Sequence, residues 1–268
     1  MSPSHPIPTA PESYLAGGSI YQDQQMLKII IGGRRRAGMT HAEYSYYAEH
    51  CHGATVAHNP GSMETYMQNH ILDAAFGTKE DGWISGADFD SFSEISFADG
   101  TAFAQSLADP YYHDTIQPDE LNFVCQSRVI LLATRVEEQP VAHPGTARLK
   151  LMRFIASNGR ADAKSFEAQW QAEAKRIADH SALKPMLRRM TRSISLDGFA
   201  AQLPAGFIAN APLSSYVGVD SLWLDAQDAG QAIAAYRSAI EEAESTLLPL
   251  LERRSEILFI VEERSIVA

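Results

Sequence analysis

Hydrophobic and polar positions along the first half of the chain predict six elements. Met26 to Gly32 is a short apolar run rich in β-branched residues, which favours a strand. Thr40, followed three residues later by Glu43, forms a capping box, so a helix is predicted over 41–58. Strands at 63–72 and 89–97, a helix at 100–107 and a strand at 126–136 complete the order β-α-β-β-α-β.

The same order recurs about 122 residues further along the chain. Strands are predicted at 148–154, 187–196, 216–224 and 256–262, with helices at 161–181 and 229–248. Residues 137–147 contain two prolines and a glycine and predict a linker. We therefore expect a first domain at 26–136, a second, degenerate domain at 148–268, and a flexible Pro- and Ser-rich arm at 1–25.

Each half has the order of a ferredoxin-like unit, whose antiparallel sheet carries helices on one face only. The bare face of each sheet needs a cover, and the second sheet of the same chain can provide it. The predicted class is therefore α+β, with two tandem ferredoxin-like units that pair their sheets into an α/β barrel. The interior of such a barrel is a natural ligand cavity.

Polar residues on the predicted strands indicate where that cavity would carry chemistry. Tyr66, Gln68 and His70 share one face of the second strand, and Phe92 and Glu94 share one face of the third. Polar side chains are costly in a purely structural core, so Tyr66, His70 and Glu94 are expected to face the barrel interior. A buried polar network that only satisfies itself is the alternative.

Several segments between residues 26 and 136 resemble EthD-domain proteins of the dimeric α/β-barrel superfamily. They are GMTHAEYSYYAEHCHGATVA, which is similar to the first helix of that family, YMQNHIL, FSEISF and PDELNFV. Ala54 stands where the family has proline, and Ser96 where it has tryptophan. The resemblance implies a site at His52 and roles at the cavity mouth for Asp119 and Glu120, which we place in a loop.

The string Glu49-His50-Cys51-His52-Gly53 at first suggests a metal site. Two histidines on a helix converge on one metal at spacing i, i+4, whereas these two are at i, i+2. No metal is therefore predicted. His52 is either a general acid/base or a cap for the end of the helix at Gly53.

Composition limits the partners. The net charge of −11 and the pI near 5.2 argue against nucleic acid and anionic membranes. Two cysteines and the lack of an apolar leader lead us to expect a soluble, cytoplasmic protein. No glycine-rich nucleotide motif occurs, so no nicotinamide or ATP is expected. The expected partner is a small apolar or aromatic ligand, together with a possible homodimer.

EthD-like barrels include cofactor-free cyclases, decarboxylases, dehydratases and lactone isomerases of aromatic or polyketide-like molecules. We therefore predict a cofactor-independent lyase or isomerase in which His52 or His70 removes a proton, Tyr66 stabilises the enolate and Glu94 orients the imidazole. Substrate-binding positions are expected at Tyr47, Gln68, Phe92, Asp119 and Glu120. A non-catalytic accessory protein of an oxygenase system and a haem-binding barrel are the alternatives.

Overall fold

A computed structural model describes residues 26–76, 89–196, 216–243, 246–252 and 257–268. Its eight strands form one closed antiparallel barrel in the order β1-β3-β2-β8-β5-β7-β6-β4. The strands are β1 (Leu27–Arg35), β2 (Met63–Phe76), β3 (Ser91–Phe97), β4 (Val124–Gln139), β5 (Leu149–Ala156), β6 (Leu187–Ser195), β7 (Tyr216–Leu224) and β8 (Ile257–Val267). The arm predicted for residues 1–25 lies outside the described residues.

The two halves of the chain contribute four strands each, in equivalent order. β4-β1-β3-β2 comes from the first half and β8-β5-β7-β6 from the second, and the pairs β2–β8 and β4–β6 close the ring. This confirms the predicted fold class. Closure removes every exposed strand edge.

The helices lie outside the barrel. They are α1 (His41–Tyr46), a π-helical segment (Tyr47–His52) and α2 (Gly53–His58), then α3 (Gly100–Ala108), a second π segment (Tyr112–Ile116), α4 (Gln117–Glu120), α5 (Ala163–Asp179), α6 (Ala229–Ala243) and the 3-10 turn Leu248–Leu250. In the described part of the chain, no helix is both long and apolar enough to cross a membrane.

The first helical run covers residues 41–58 as predicted, and so it does not end at Gly53. The Thr40 side chain accepts from the backbone N–H of Glu43, and the Glu43 carboxylate accepts from the backbone N–H of Thr40. Gly53 has φ −58° and ψ −43°, so the helix passes through it and stops at His58. The cap interpretation of His52 is therefore wrong: His52 lies within the run, and Gly53 keeps the helix close to Ile266 on β8.

Asp119 and Glu120 are not in a loop. They lie in α4, which continues the helical path of the preceding π segment and has Pro118 in its first turn, where its missing N–H costs nothing. The loop predicted here is therefore wrong: Pro118 begins a helical turn instead of interrupting the chain.

Packing separates the two faces of the barrel wall. One apolar cluster joins strands of both halves without any helical residue, and therefore fills the interior; it contains Ile30, Phe92, Ile130, Leu132, Met152, Phe154, Val219, Ile257, Phe259 and Val261. Two further clusters join the outer strand faces to helices α3, α5 and α6. The interior is thus packed core along much of its length.

This division corrects the expected location of the site. Glu94 shares the interior face of β3 with Phe92, as predicted. On β2, however, Tyr66, Gln68 and His70 pair with Ile95, Ser93 and Ser91, which face the helices. Met67, and not Tyr66 or Gln68, pairs with Glu94 across β2 and β3. Tyr66 and His70 therefore lie on the opposite side of the sheet from Glu94, because neighbouring residues of a strand point to opposite faces.

Candidate active site

A cavity of about 110 Å³ lies between the first-half sheet and its helices. Its apolar wall comes from strands and helices alike: Ile29, Ile31, Val56, Met63, Ile95, Phe97, Phe103, Leu107, Ile116, Phe123, Val124 and Val129. Its polar wall consists of Tyr44, His52, Tyr66, Gln68, Ser91, Ser93, Ser106, Tyr112, Glu120 and Gln126. An enclosed apolar space with a few convergent polar groups is the usual form of a small-molecule site.

His52 is held in a fixed orientation at this cavity. Its Nδ1 lies 2.9 Å from Oδ2 of Asp119, and its ring is buried. The hydrogen bond from His52 is the main reason that the pKa of Asp119 falls to about 2, so this carboxylate is ionised at neutral pH. An ionised carboxylate only accepts, so Nδ1 of His52 carries a hydrogen, and in the neutral ring Nε2 therefore has the lone pair.

Asp119 is itself fixed from its other oxygen. The Tyr47 hydroxyl donates to Oδ1 over 2.6 Å, and Nδ2 of Asn122 donates to the same atom over 3.1 Å. The Phe123 ring packs against the rings of both His52 and Tyr47, with centroids 4.9 and 5.2 Å away. Asp119 therefore takes the orienting role that was expected of Glu94.

The π segment explains how His52 reaches this place. Residues Tyr47–His52 are wound more widely than an α-helix, and such segments occur often at functional sites. The segment presents Tyr47 and His52 to α4 on one side, while His50 is exposed to solvent. No simple α-helical periodicity in the sequence shows this widening.

Glu120 adds a carboxyl group to the cavity wall. Burial among apolar side chains raises its pKa to about 7, against the lowering effect of the nearby His52 ring. The cavity therefore contains a carboxyl group that can be protonated at neutral pH, close to a histidine whose orientation is fixed. Two neighbouring titratable groups in different environments, here a carboxyl group and an imidazole ring, are typical of the acid and the base in an active site.

Tyr66 ends a chain of hydrogen bonds that begins at His70. Nε2 of His70 donates to Oε1 of Gln68 over 3.0 Å, and Nε2 of Gln68 donates to the Tyr66 hydroxyl over 3.0 Å and to the Ala48 carbonyl over 2.7 Å. Burial lowers the pKa of His70, which favours the neutral ring. Since the Tyr66 oxygen already accepts from Gln68, its own hydrogen is directed to Ser93 at 3.3 Å or to a ligand.

Two tyrosines in the wall were not predicted. The Tyr44 hydroxyl is 2.8 Å from Oγ of Ser91, and Tyr112 lies in the second π segment. Burial raises the pKa of both hydroxyls, so both stay protonated at neutral pH. The helical spacing of Tyr44 and Tyr47 could have indicated one of them, but nothing local marks Tyr112.

Glu94 and Phe92 do not reach the cavity. Nζ of Lys150 lies 2.5 Å from Oε2 of Glu94 and 2.8 Å from Oε1 of Glu263, all within the barrel. Burial alone would raise the pKa of Glu94, but Lys150 and Lys28 hold it at about 2. The Phe92 ring packs on Phe154, with centroids 4.5 Å apart. The structure therefore places neither side chain in the cavity that His52 and Tyr66 line.

In the described residues of the second half, side chains occupy the equivalent space. Arg153 pairs across the sheet with Asp220, and Asp220 with Arg192, at the positions that Ile31, Ser93 and Gln68 occupy in the first half. Nε1 of Trp170 donates to Oδ1 of Asp220 over 2.8 Å, and Arg153 donates to Glu173 over 2.6 Å. An indole ring and ion pairs thus fill the space.

These dimensions do not suit a porphyrin. The first-half cavity is far smaller than the 300–1,000 Å³ typical of drug-sized ligands, and Trp170 fills the equivalent second-half position. The described residues therefore do not fit the haem-binding alternative.

Comparison with known proteins gives one family match. Residues 36–127 match the EthD domain. Among curated proteins, no sequence matches this chain.

Solved structures match over nearly the whole chain, at low sequence identity. A Fusobacterium nucleatum protein provisionally named a monooxygenase is 7% identical, with 90% of this chain and 94% of that chain covered and a TM-score of 0.52. A protein provisionally named a chlorite dismutase is 10% identical, with 89% and 95% covered and a TM-score of 0.51. A mutant chlorite dismutase from Candidatus Nitrospira defluvii is 7% identical, with 91% and 94% covered and a TM-score of 0.51. These likenesses concern the fold alone.

Proposed function

We propose that the chain is a cofactor-independent lyase or isomerase whose active site is the first-half cavity, which is formed largely by the residues 36–127 that match the EthD domain. The observation that carries this proposal is the His52–Asp119 pair at the wall of an enclosed space that Tyr66 and Glu120 also line. A base in a fixed orientation, together with nearby hydrogen-bond donors, can remove a proton from the carbon next to a carbonyl group.

The first step follows from the fixed tautomer of His52. Nε2 has the lone pair, so it takes a proton from the carbon next to a substrate carbonyl. Asp119 stabilises the imidazolium that results, because its negative charge lies 2.9 Å from Nδ1. The electrons of the broken C–H bond move to the carbonyl oxygen and form an enolate.

The enolate oxygen needs a donor, and Tyr66 is suited to this role. Gln68 occupies an acceptor position on the Tyr66 oxygen and so leaves the hydroxyl hydrogen free to turn to the enolate. His52 or a protonated Glu120 then returns a proton. Return to another carbon completes an isomerisation, and return to a departing hydroxyl releases water.

His70 acts through Gln68 in this scheme and not as the base. Its Nε2 is used as a donor, and its pKa is lowered by burial. It is a positioning residue that fixes the Gln68 amide, and through it the Tyr66 hydroxyl.

Proton exchange tests the proposal without knowledge of the full reaction. Small molecules that stay bound through native purification are identified by mass spectrometry, and incorporation of deuterium from D₂O into a bound carbonyl compound is followed by NMR. We expect His52→Ala to slow exchange by about 10²–10⁴-fold, the usual contribution of a general base. His70→Ala should cost about tenfold, through the loss of Tyr66 orientation.

His50→Ala is the matched control, because His50 belongs to the same π segment but is exposed. It should leave exchange unchanged. A ligand that binds in the cavity but exchanges no proton in the wild-type protein would overturn the proposal and favour a non-catalytic binding or accessory protein.

A further inference from the structure

The charge of the cavity wall limits what the site can bind. Among the lining residues whose side chains the structure describes there is no lysine and no arginine, while Glu120 contributes a carboxyl group and Asp119 lies behind His52. Arg35, on the strand beside the cavity, is already paired with Asp90. A carboxylate or phosphate placed here would lose its hydration without gaining a cation.

The second half shows what a charged version of this space looks like. At the positions of Ile31 and Gln68 it has Arg153 and Arg192, and both arginines are buried together with the acidic side chains Glu173 and Asp220. The first half replaces these cations by an aliphatic and an amide side chain. Its remaining polar wall consists mainly of neutral hydroxyls and amides.

Size gives a second limit. The cavity holds about 110 Å³, and an engineered apolar cavity of about 150 Å³ is known to take benzene. Because the cavity is somewhat smaller than that reference, a single ring is the largest molecule that we expect it to take without extensive movement of its wall. The hydroxyl groups of Tyr66 and Tyr44 line this space and can donate a hydrogen bond to an acceptor on the ring, such as a carbonyl or nitro oxygen.

We infer that the cavity selects an uncharged molecule of single-ring size that carries an oxygen acceptor, and that Glu120 excludes anions from it. This inference rests on the cavity of the proposed function and names its substrate class. It does not depend on proton abstraction, because binding alone expresses it.

Nitrobenzene and benzoate are suitable probes, since they have the same shape and differ in charge. Binding to the full chain is measured at pH 8 by ligand-observed NMR and by calorimetry. We expect nitrobenzene to bind at least about tenfold more tightly than benzoate, and Glu120→Gln to reduce that ratio by at least about threefold. Glu241→Gln, on the exposed face of α6, should leave the ratio unchanged.

The size limit has its own variant. Wild-type protein should bind 2-nitronaphthalene at least about tenfold more weakly than nitrobenzene. Leu107→Ala shortens a side chain of the wall and enlarges the cavity, so it should remove most of that difference in affinity. The charge part of the inference is overturned if benzoate binds as tightly as nitrobenzene, or if Glu120→Gln leaves the ratio of the two affinities unchanged. The size part is overturned if the wild type binds both ring sizes equally. The whole inference is overturned if nitrobenzene shows no binding at concentrations up to about 10 mM, which is weaker than the millimolar affinity of a very weak complex.

Failure of this inference is distinct from failure of the proposed function. These titrations contain no turnover, so charge selectivity can hold when His52→Ala leaves deuterium exchange unchanged. Equally, His52-dependent exchange of a carboxylate-bearing ketone would support the proposed function and contradict the substrate class.

Discussion

The two halves of the barrel share one topology but treat the space under their helices in opposite ways. In the first half, Ile31, Ser93 and Gln68 line a cavity. In the second, Arg153, Asp220 and Arg192 occupy the matching positions, and Trp170 lies against them so closely that a Cβ on Gly218 would be 2.5 Å from its ring. The difference teaches that this fold does not determine a site: a few side chains on the outer sheet face decide whether the space is open or filled.

Trp170→Ala should have the largest effect, because it removes the side chain that fills the second half. We expect a loss of about 3–5 kcal/mol in the free energy of unfolding, from the cavity and from the lost hydrogen bond between the indole and Asp220. Urea denaturation measures it. The first-half change Phe103→Leu, beside an existing cavity, should cost less than about 1.5 kcal/mol. Equal costs would contradict the contrast between the halves.

Asp119→Asn should reduce catalysis strongly while leaving the fold intact. An asparagine side chain of the same shape permits the wrong His52 tautomer, so turnover or proton exchange should fall by about 100-fold or more. Circular dichroism provides the control for folding. The account fails on this point if the variant keeps its exchange rate.

Glu120→Gln should change how stability depends on pH. The pKa of Glu120 is about 7 in the folded state and near the ordinary 4.5 in the unfolded state. The folded state therefore binds more protons between these values, and stability is lost as pH rises from about 4.5 to 7. The variant lacks this loss, so it should exceed the wild type by about 3 kcal/mol at pH 8 and by nothing at pH 4. Parallel stability curves would show that burial does not perturb Glu120.

Glu94→Gln should have the smallest effect on the site. Glu94 lies inside the barrel with Lys150, on the other side of the sheet from His52 and Tyr66. The unfolding free energy should fall, since Lys150 loses one of its two carboxylates, but ligand affinity and exchange per folded molecule should change less than about twofold. A tenfold loss of ligand affinity would instead indicate that the ligand binds in the barrel interior.

The sequence predicted the barrel well because its signals are local and repeated. The capping box at Thr40, the strand patterns and the second β-α-β-β-α-β set all describe elements of the observed fold, and closure follows from two sheets that each need a cover. Period two also predicted correctly which residues share a face of each strand, such as Tyr66, Gln68 and His70.

The candidate site was harder to predict because it depends on relations between elements. Which face of β2 points inward is set by its register with β3, and no pattern within β2 contains that information. Asp119 follows a proline, which in the sequence favours a loop. The packing of α4 against the π segment brings the Asp119 carboxylate to His52, and no local pattern contains this contact. The pairing of Glu94 with Lys150 crosses from one half of the chain to the other, beyond the reach of local reasoning.

The most direct test of the account is the position of a bound ligand. Nitrogen-15 NMR of the histidine rings during titration with nitrobenzene reports it, and the spectrum of the free protein also identifies the tautomer of His52. The account predicts an Nδ1–H tautomer and a shift of Nε2 of His52 on binding, while His50 stays unchanged. Binding of nitrobenzene that leaves the ring nitrogens of His52 unaffected would contradict it.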